Sequence, residues 1–468
     1  MPENQTSMDA FGTRPFDVFE PTDGDPWDVH KAGHLIRRCA FGATPDELNT
    51  AVADGTTKTI DALFNFDPED DPHNHLLEEM GEVFRLDNHR RVQEWWVFRM
   101  LRTDRPLQER IALFWHNHFA TGGSKVNQQR MHKQIELFRR KGLGSFRELL
   151  VEVGRDPAML LWLDGNNAAK GKPNENYARE IMELFTLGVD NGYTEADIKE
   201  LSRCFTGWRV QGNNARFFKD RFDDGEKTIL GKTGNFNDEG AVDLLLATEQ
   251  APKFIAEKLL THFLTPTPPQ PMIDHFAGRL TANDWHIGTV LKEMFRCRAF
   301  YSDGAYRSLI KDPATLCIGA GRALGGTLKA EFVREFMGKM GMRLLFPPDV
   351  SGWTGGEAWV NAATILVRYR FALEVARQEG RWYAKSHRLE HFLPNNNLDS
   401  ADSLVDHYAD LLLDGNLPGE VRSKLVDYFM RNDKNEPIEE FKLNGNTVRK
   451  KVKGTLHLMM TTPYFQLA

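Results

Sequence analysis

Only four cysteines occur in 468 residues, Cys39, Cys204, Cys297 and Cys317, and none stands in a CxxC pair. This excludes a disulfide-stapled scaffold and a paired-thiolate zinc site, and it suits a reducing, cytoplasmic setting. No apolar run approaches the ~18 residues that a membrane-spanning helix needs. Long basic runs are missing too: 59 Lys and Arg are interspersed with 66 Asp and Glu, for a net charge of −7. A chain so balanced does not track a phosphate backbone, and nucleic acid is not an expected partner. No GxSxG elbow, HExxH helix, EF-hand loop or GxGxxG fingerprint is present. Residues 1–26 hold four Pro, two Gly and six acidic residues and lack the charged start and apolar core of a secretory signal. They read as a flexible or loosely draped arm.

What is there is helical periodicity. Residues 30–41 predict a helix closed near Gly42, and Thr44 caps the next, with Pro45 in its first turn. Residues 91–101 and 107–119 form a pair broken at 103–106. Thr194 and Asp197 open another helix as a capping-box variant. Between about 208 and 235, Asp224-Gly225 separates two β-compatible runs, a hairpin signal. Residues 225–233 mimic a phosphate-binding loop, but five residues separate Gly225 from Gly231 where that motif has four. Proline excludes helix over 265–271, and Asp312-Pro313 starts a further helix. The expected fold is mainly α, a multi-helix globular array with a small β-hairpin insertion. Its main domain runs over 27–377, a polar connection over 378–400, and a C-terminal helical region packed on the main domain over 401–468.

The most informative stretch is 174–188. Tyr177, Ile181 and Leu184 make an apolar stripe at helical spacing, and Asn176, Glu180 and Glu183 repeat that spacing on another side. Arg179 pairs with Glu175 at i, i+4 in the ordinary surface reading. Trp115-His116-Asn117-His118 is the natural complement, because neutral imidazole is the commonest metal ligand. Residues two apart on a continuous helix point about 200° apart, so both histidines reach one ion only if the helix loosens before Gly122-Gly123. The bland alternative packs one histidine on Phe114 and Trp115 and hydrogen-bonds the other. Residues 347–361 form a Gly/Trp loop in which Trp353 and Trp359 either wall a pocket or anchor the loop in the core, and Trp208 is a candidate for the same wall.

These residues support an enzyme, a candidate metal-dependent hydrolase. Glu180, Glu183 and His118 would be catalytic, and Asn176, Arg179, Trp353 and Trp359 would bind a small polar or anionic ligand. A divalent ion would sit among His116, His118, Glu180 and Glu183. The competing class is a non-catalytic binding or assembly protein in which the same polar groups form a structural network.

Taken in order, the strings His34–Pro45, Phe114–Phe119, Asn174–Leu187, Thr194–Trp208, Phe218–Gly231, Gly352-Trp353 and Thr462–Gln466 resemble the bacterial domain-of-unknown-function family numbered 1800. The resemblance covers roughly residues 30–468 and implies no settled activity. Many members look exported and are encoded beside proteins of a family numbered 1501, which resembles the alkaline phosphatase and sulfatase superfamily. A 1501-type partner is the interaction it implies.

Overall fold

The computed structural model describes residues 6–68, 86–325, 328–377, 398, 400–432, 434–439, 441–442 and 448–468. Among them the chain is mainly α-helical, and β-structure is confined to two antiparallel two-stranded hairpins. Most of the 378–400 connection expected from composition lies outside the described residues.

Local chemistry sets the helix starts. Thr44 accepts from the Glu47 N–H while Glu47 reaches back to the Thr44 N–H, which opens the Pro45–Phe64 helix with proline at its first position. Thr194 and Asp197 do the same for Glu195–Cys204, and Asp312 caps Pro313–Ala323. One continuous apolar core runs from Phe11 to Phe465. A smaller cluster of Ala32, Ile36, Ala40, Leu48 and Ala51 seals the Val29–Cys39 helix against Pro45–Phe64.

Residues 6–26 are anchored to the body: Phe11 and Phe19 are buried, and the Phe19 N–H donates to the Arg296 carbonyl at 2.7 Å. The insertion also differs from its expected form. Trp208–Gln211 pairs with Asn214–Phe217, and Lys227–Ile229 with Lys232–Gly234, so there are two hairpins, turning at 212–213 and 230–231. Asp224-Gly225 turns neither of them. Asp223 beside it receives the Arg203 guanidinium and the Gly225 N–H, which makes that segment a braced loop.

At the far end the Leu309 and Ala468 backbones exchange hydrogen bonds, and the Lys311 N–H donates to the Gln466 carbonyl. The last residues are thereby stitched to the segment preceding the Pro313–Ala323 helix.

Candidate functional site

The Pro106–His118 helix is buried along nearly its whole length and ends where the Phe119 N–H returns to the Trp115 carbonyl. Its last three residues face three different ways. His116 is fully buried, and its Nε2 accepts from the Leu345 N–H at 3.1 Å, with the imidazole edge-on to Trp96. Burial pushes its pKa down to about 4, so the ring is neutral. The proton therefore sits on Nδ1, which has no hydrogen-bond partner among the described residues.

His118 points to the opposite side, as the ~200° separation requires. Its Nε2–H donates to the Phe185 carbonyl at 3.1 Å, and six aromatic rings surround it, from Phe119 at 4.6 Å to Phe146 at 6.4 Å. Burial, then the nearby Lys258 ammonium, pushes its pKa down to about 3.

Asn117, between them, is the residue that the sequence motif conceals. Its Oδ1 accepts from the Trp353 N–H at 2.7 Å and its Nδ2 donates to the Trp353 carbonyl at 3.3 Å. Gly352 lies against this amide with φ +80°, and a Cβ there would run into the Asn117 carbonyl and Oδ1. The glycine answers both to the left-handed backbone and to the close approach.

The stretch 174–188 forms a helix of two kinds. Glu175–Glu180 is α-helical, and Ile181–Thr186 continues it as a π-turn. The Leu187 N–H reaches back five residues to the Met182 carbonyl at 2.9 Å, and the Thr186 hydroxyl donates to the Ile181 carbonyl. The wider turn changes which residues face inward. Met182 and Phe185 are fully buried, whereas Leu184, the expected last member of the apolar stripe, is only half-buried. Single π-turns recur at functional sites.

Glu180 and Glu183 are half-buried along this element, and Asn176 is exposed at its start. Arg179 donates to Glu183 at 3.2 Å and forks onto both oxygens of Glu195 at 2.8 and 2.7 Å, so its partners are these two carboxylates and not Glu175. The Glu180 carboxyl is raised above its ordinary range by burial, then by repulsion from Glu183, with Arg179 opposing and Asp349 adding to the rise. Asp349 comes from the Trp353 loop, where it accepts from the Ser351 N–H.

The histidine helix, the π-turn and the Trp loop therefore do meet, but through backbone clamps. His116 and Asn117 fix residues 345–353, and His118 fixes residue 185. The expected ion site is not assembled: each histidine spends Nε2 on backbone, on opposite sides of one helix, and no three His, Cys, Asp or Glu among the described residues group so as to hold a metal ion. Trp353 and Trp359 are each 7% exposed and belong to the core, with the Trp353 indole donating to the Gly341 carbonyl at 3.1 Å. Both anchor the loop in the core. Trp208 is engaged elsewhere, under Arg155 and hydrogen-bonded to Asp238.

Asn117 and Asp349 are the site residues that sequence reasoning missed. An amide between two histidines and a carboxylate just after Pro347-Pro348 were the available signals.

Fold and site together define a helical protein whose acidic edge, Glu180, Glu183 and Asp349, is flanked by a His-Asn-His brace with both histidines buried. The family model described as a protein of unknown function (DUF1800) matches residues 34–467, and the chain belongs to that family. Neither a curated protein nor a solved structure matches it.

Proposed function

We propose that the chain is an enzyme that performs acid–base chemistry on a polar substrate at the Glu180–Glu183 edge. One observation carries this reading: two carboxylates three residues apart have unlike surroundings. Glu183 receives the Arg179 guanidinium, while Glu180 receives no hydrogen bond among the described residues and is raised by burial, then by the like charges of Glu183 and Asp349, against the opposing Arg179. Paired carboxylates held in unlike environments divide into proton donor and ionised partner. Asn176 is the exposed amide beside them, and hydrolysis is the reaction class. His116, Asn117 and His118 are positioning residues that hold the two walls of the edge. Arg179, engaged by Glu183 and Glu195, orders the edge and does not reach for an anion.

Chromogenic ester, phosphoester and glycoside substrates, surveyed across pH with the wild type, Glu180→Gln and Glu183→Gln, test the reading. Turnover is expected to fall by about 10²-fold or more in Glu180→Gln, with the alkaline limb of the pH profile lost and thermal melting not lowered. Equal turnover in Glu180→Gln and wild type rejects it. Metal content of purified wild type beside Glu180→Gln and His118→Ala checks the ion separately.

A second reading, binding or assembly, rests on a different observation. Val360, Leu366, Tyr369 and Leu458 are exposed large apolar residues on or beside two helices in mutual contact, Ala362–Arg377 and Lys453–Thr461. A protein of the family numbered 1501 is the partner to try. Co-purification abolished by Leu366→Glu supports this reading, and no co-purification counts against it.

A further inference from the structure

The string His34–Pro45 contributes nothing to the acidic edge. It lines a separate cavity, together with Lys311, Asp414 and Phe465. Phe465 belongs to the closing string 462–466, so two of the strings that carry the family resemblance meet here.

Glycines allow the elements to close around this cavity. A Cβ on Gly33 would run into the Asp414 carboxylate, and one on Gly319 would strike the Phe41 carbonyl. The space is about 20 Å³, room for one water-sized group, and it is partly open to solvent.

The charges around it do not balance. Arg37, Arg307, Lys311 and Arg368 are all at most 8% exposed. Asp414 pairs with Arg37 and lies 3.9 Å from Arg307. Arg368 is held by the Gln466 side chain and the Lys311 carbonyl. The Lys311 ammonium has no hydrogen bond or ion pair with a carboxylate among the described residues, and it lies over the Phe465 ring face, 4.0 Å away. Asp410 also lines the cavity, its carboxyl raised above the ordinary range by burial, then by Asp406, with His30 opposing. A buried cation without a partner is costly: burial, then the Arg37, Arg307 and Arg368 guanidiniums, pushes Lys311 toward its neutral amine, and an anion beside it would favour the charged form.

We propose that this cavity binds a small monatomic anion of chloride size, held by Lys311 and Arg37, with Phe465 closing one side. The narrow space sets the class, since a single monatomic ion matches it better than the larger phosphate or sulfate. The anion would supply the charge that Lys311 lacks and tie the C-terminal strings to the Val29–Cys39 helix.

The test uses the full chain in gluconate buffer, with chloride replacing gluconate at constant ionic strength. A saturable rise in melting temperature, on the order of 1–3 °C, is expected for the wild type. Lys311→Met is expected to fold and to lose that dependence. An equal chloride dependence in both proteins, or none in the wild type, overturns the proposal. So does a response to phosphate or sulfate with chloride inert. Chloride NMR of the wild type supplies a readout independent of the variant: excess line width that bromide titrates away is expected, and its absence overturns the proposal even if Lys311→Met does not fold.

Discussion

Asn117 and Trp353, 236 positions apart, exchange two hydrogen bonds, amide oxygen to N–H and amide N–H to carbonyl, as two paired strands would. Asn117→Ala removes both and strands the Trp353 N–H beneath the loop. A loss of about 2–3 kcal/mol in denaturant-unfolding free energy is expected, with faster amide exchange confined to residues 349–353. Wild-type exchange at Trp353 in the variant would disprove the clamp.

Gly352→Ala is expected to destabilise at least as much, because two penalties coincide. The new methyl meets Asn117, and an L-residue must hold φ +80°. Gly356→Ala is the control. It also has positive φ, at +54°, but nothing within 4 Å of its Cβ, so it carries only the conformational part, about 1–2 kcal/mol. Urea midpoints for the two variants separate clash from conformation.

The buried histidines predict an acid response of definite sign. His116 and His118 are held near 4 and 3, below the ~6.5 of an unfolded histidine, so below that pH the unfolded chain binds more protons. The stability they contribute is complete above about pH 6.5 and is lost as pH falls toward 4 and 3, at about 1.4 kcal/mol per pH unit for each. Burial lowers His34 and His262 as well, which steepens the fall. His118→Gln keeps a donor for the Phe185 carbonyl and removes one titrating group. Its urea midpoint between about pH 7 and 5 is expected to drop less steeply than that of the wild type, and equal slopes would refute the assignment.

Glu180 gives the opposite sign. Its folded carboxyl is raised, so the folded state gains relative stability on acidification, and at neutral pH the charge is a penalty. Glu180→Gln is expected to raise neutral-pH stability by a few tenths of a kcal/mol, less than ~1 after solvent screening. The gain should shrink as pH falls through the carboxylate range. A destabilised Glu180→Gln would show that the carboxylate makes an essential contact.

Helix starts were the legible part of the fold, because capping chemistry is local. Thr44 with Glu47, Thr194 with Asp197 and Asp312 before Pro313 all lie within three residues of their partners. The π-turn was illegible: nothing in Ile181–Thr186 breaks a 3.6-residue reading, and it is the packing of Met182 and Phe185 that reveals it. Asp224-Gly225 misled because the same dipeptide serves a hairpin turn or a loop braced by a distant cation, and Arg203 decides. The strings that would meet were recognisable, but not their means of meeting, since Asn117 bonds to a backbone more than two hundred positions away.

The π-turn also sets what that segment can lose. Its one extra residue makes it equivalent to an insertion absorbed in place, so deleting one residue between 181 and 186 would restore a plain α-helix and leave everything after it in register. The Thr194 cap would keep its place, and only the carbonyls inside the turn, that of Phe185 against His118 among them, would be re-aimed. In this stretch the chain tolerates a change of length better than a straight helix would, and natural variants should show loss of a residue there alongside substitutions.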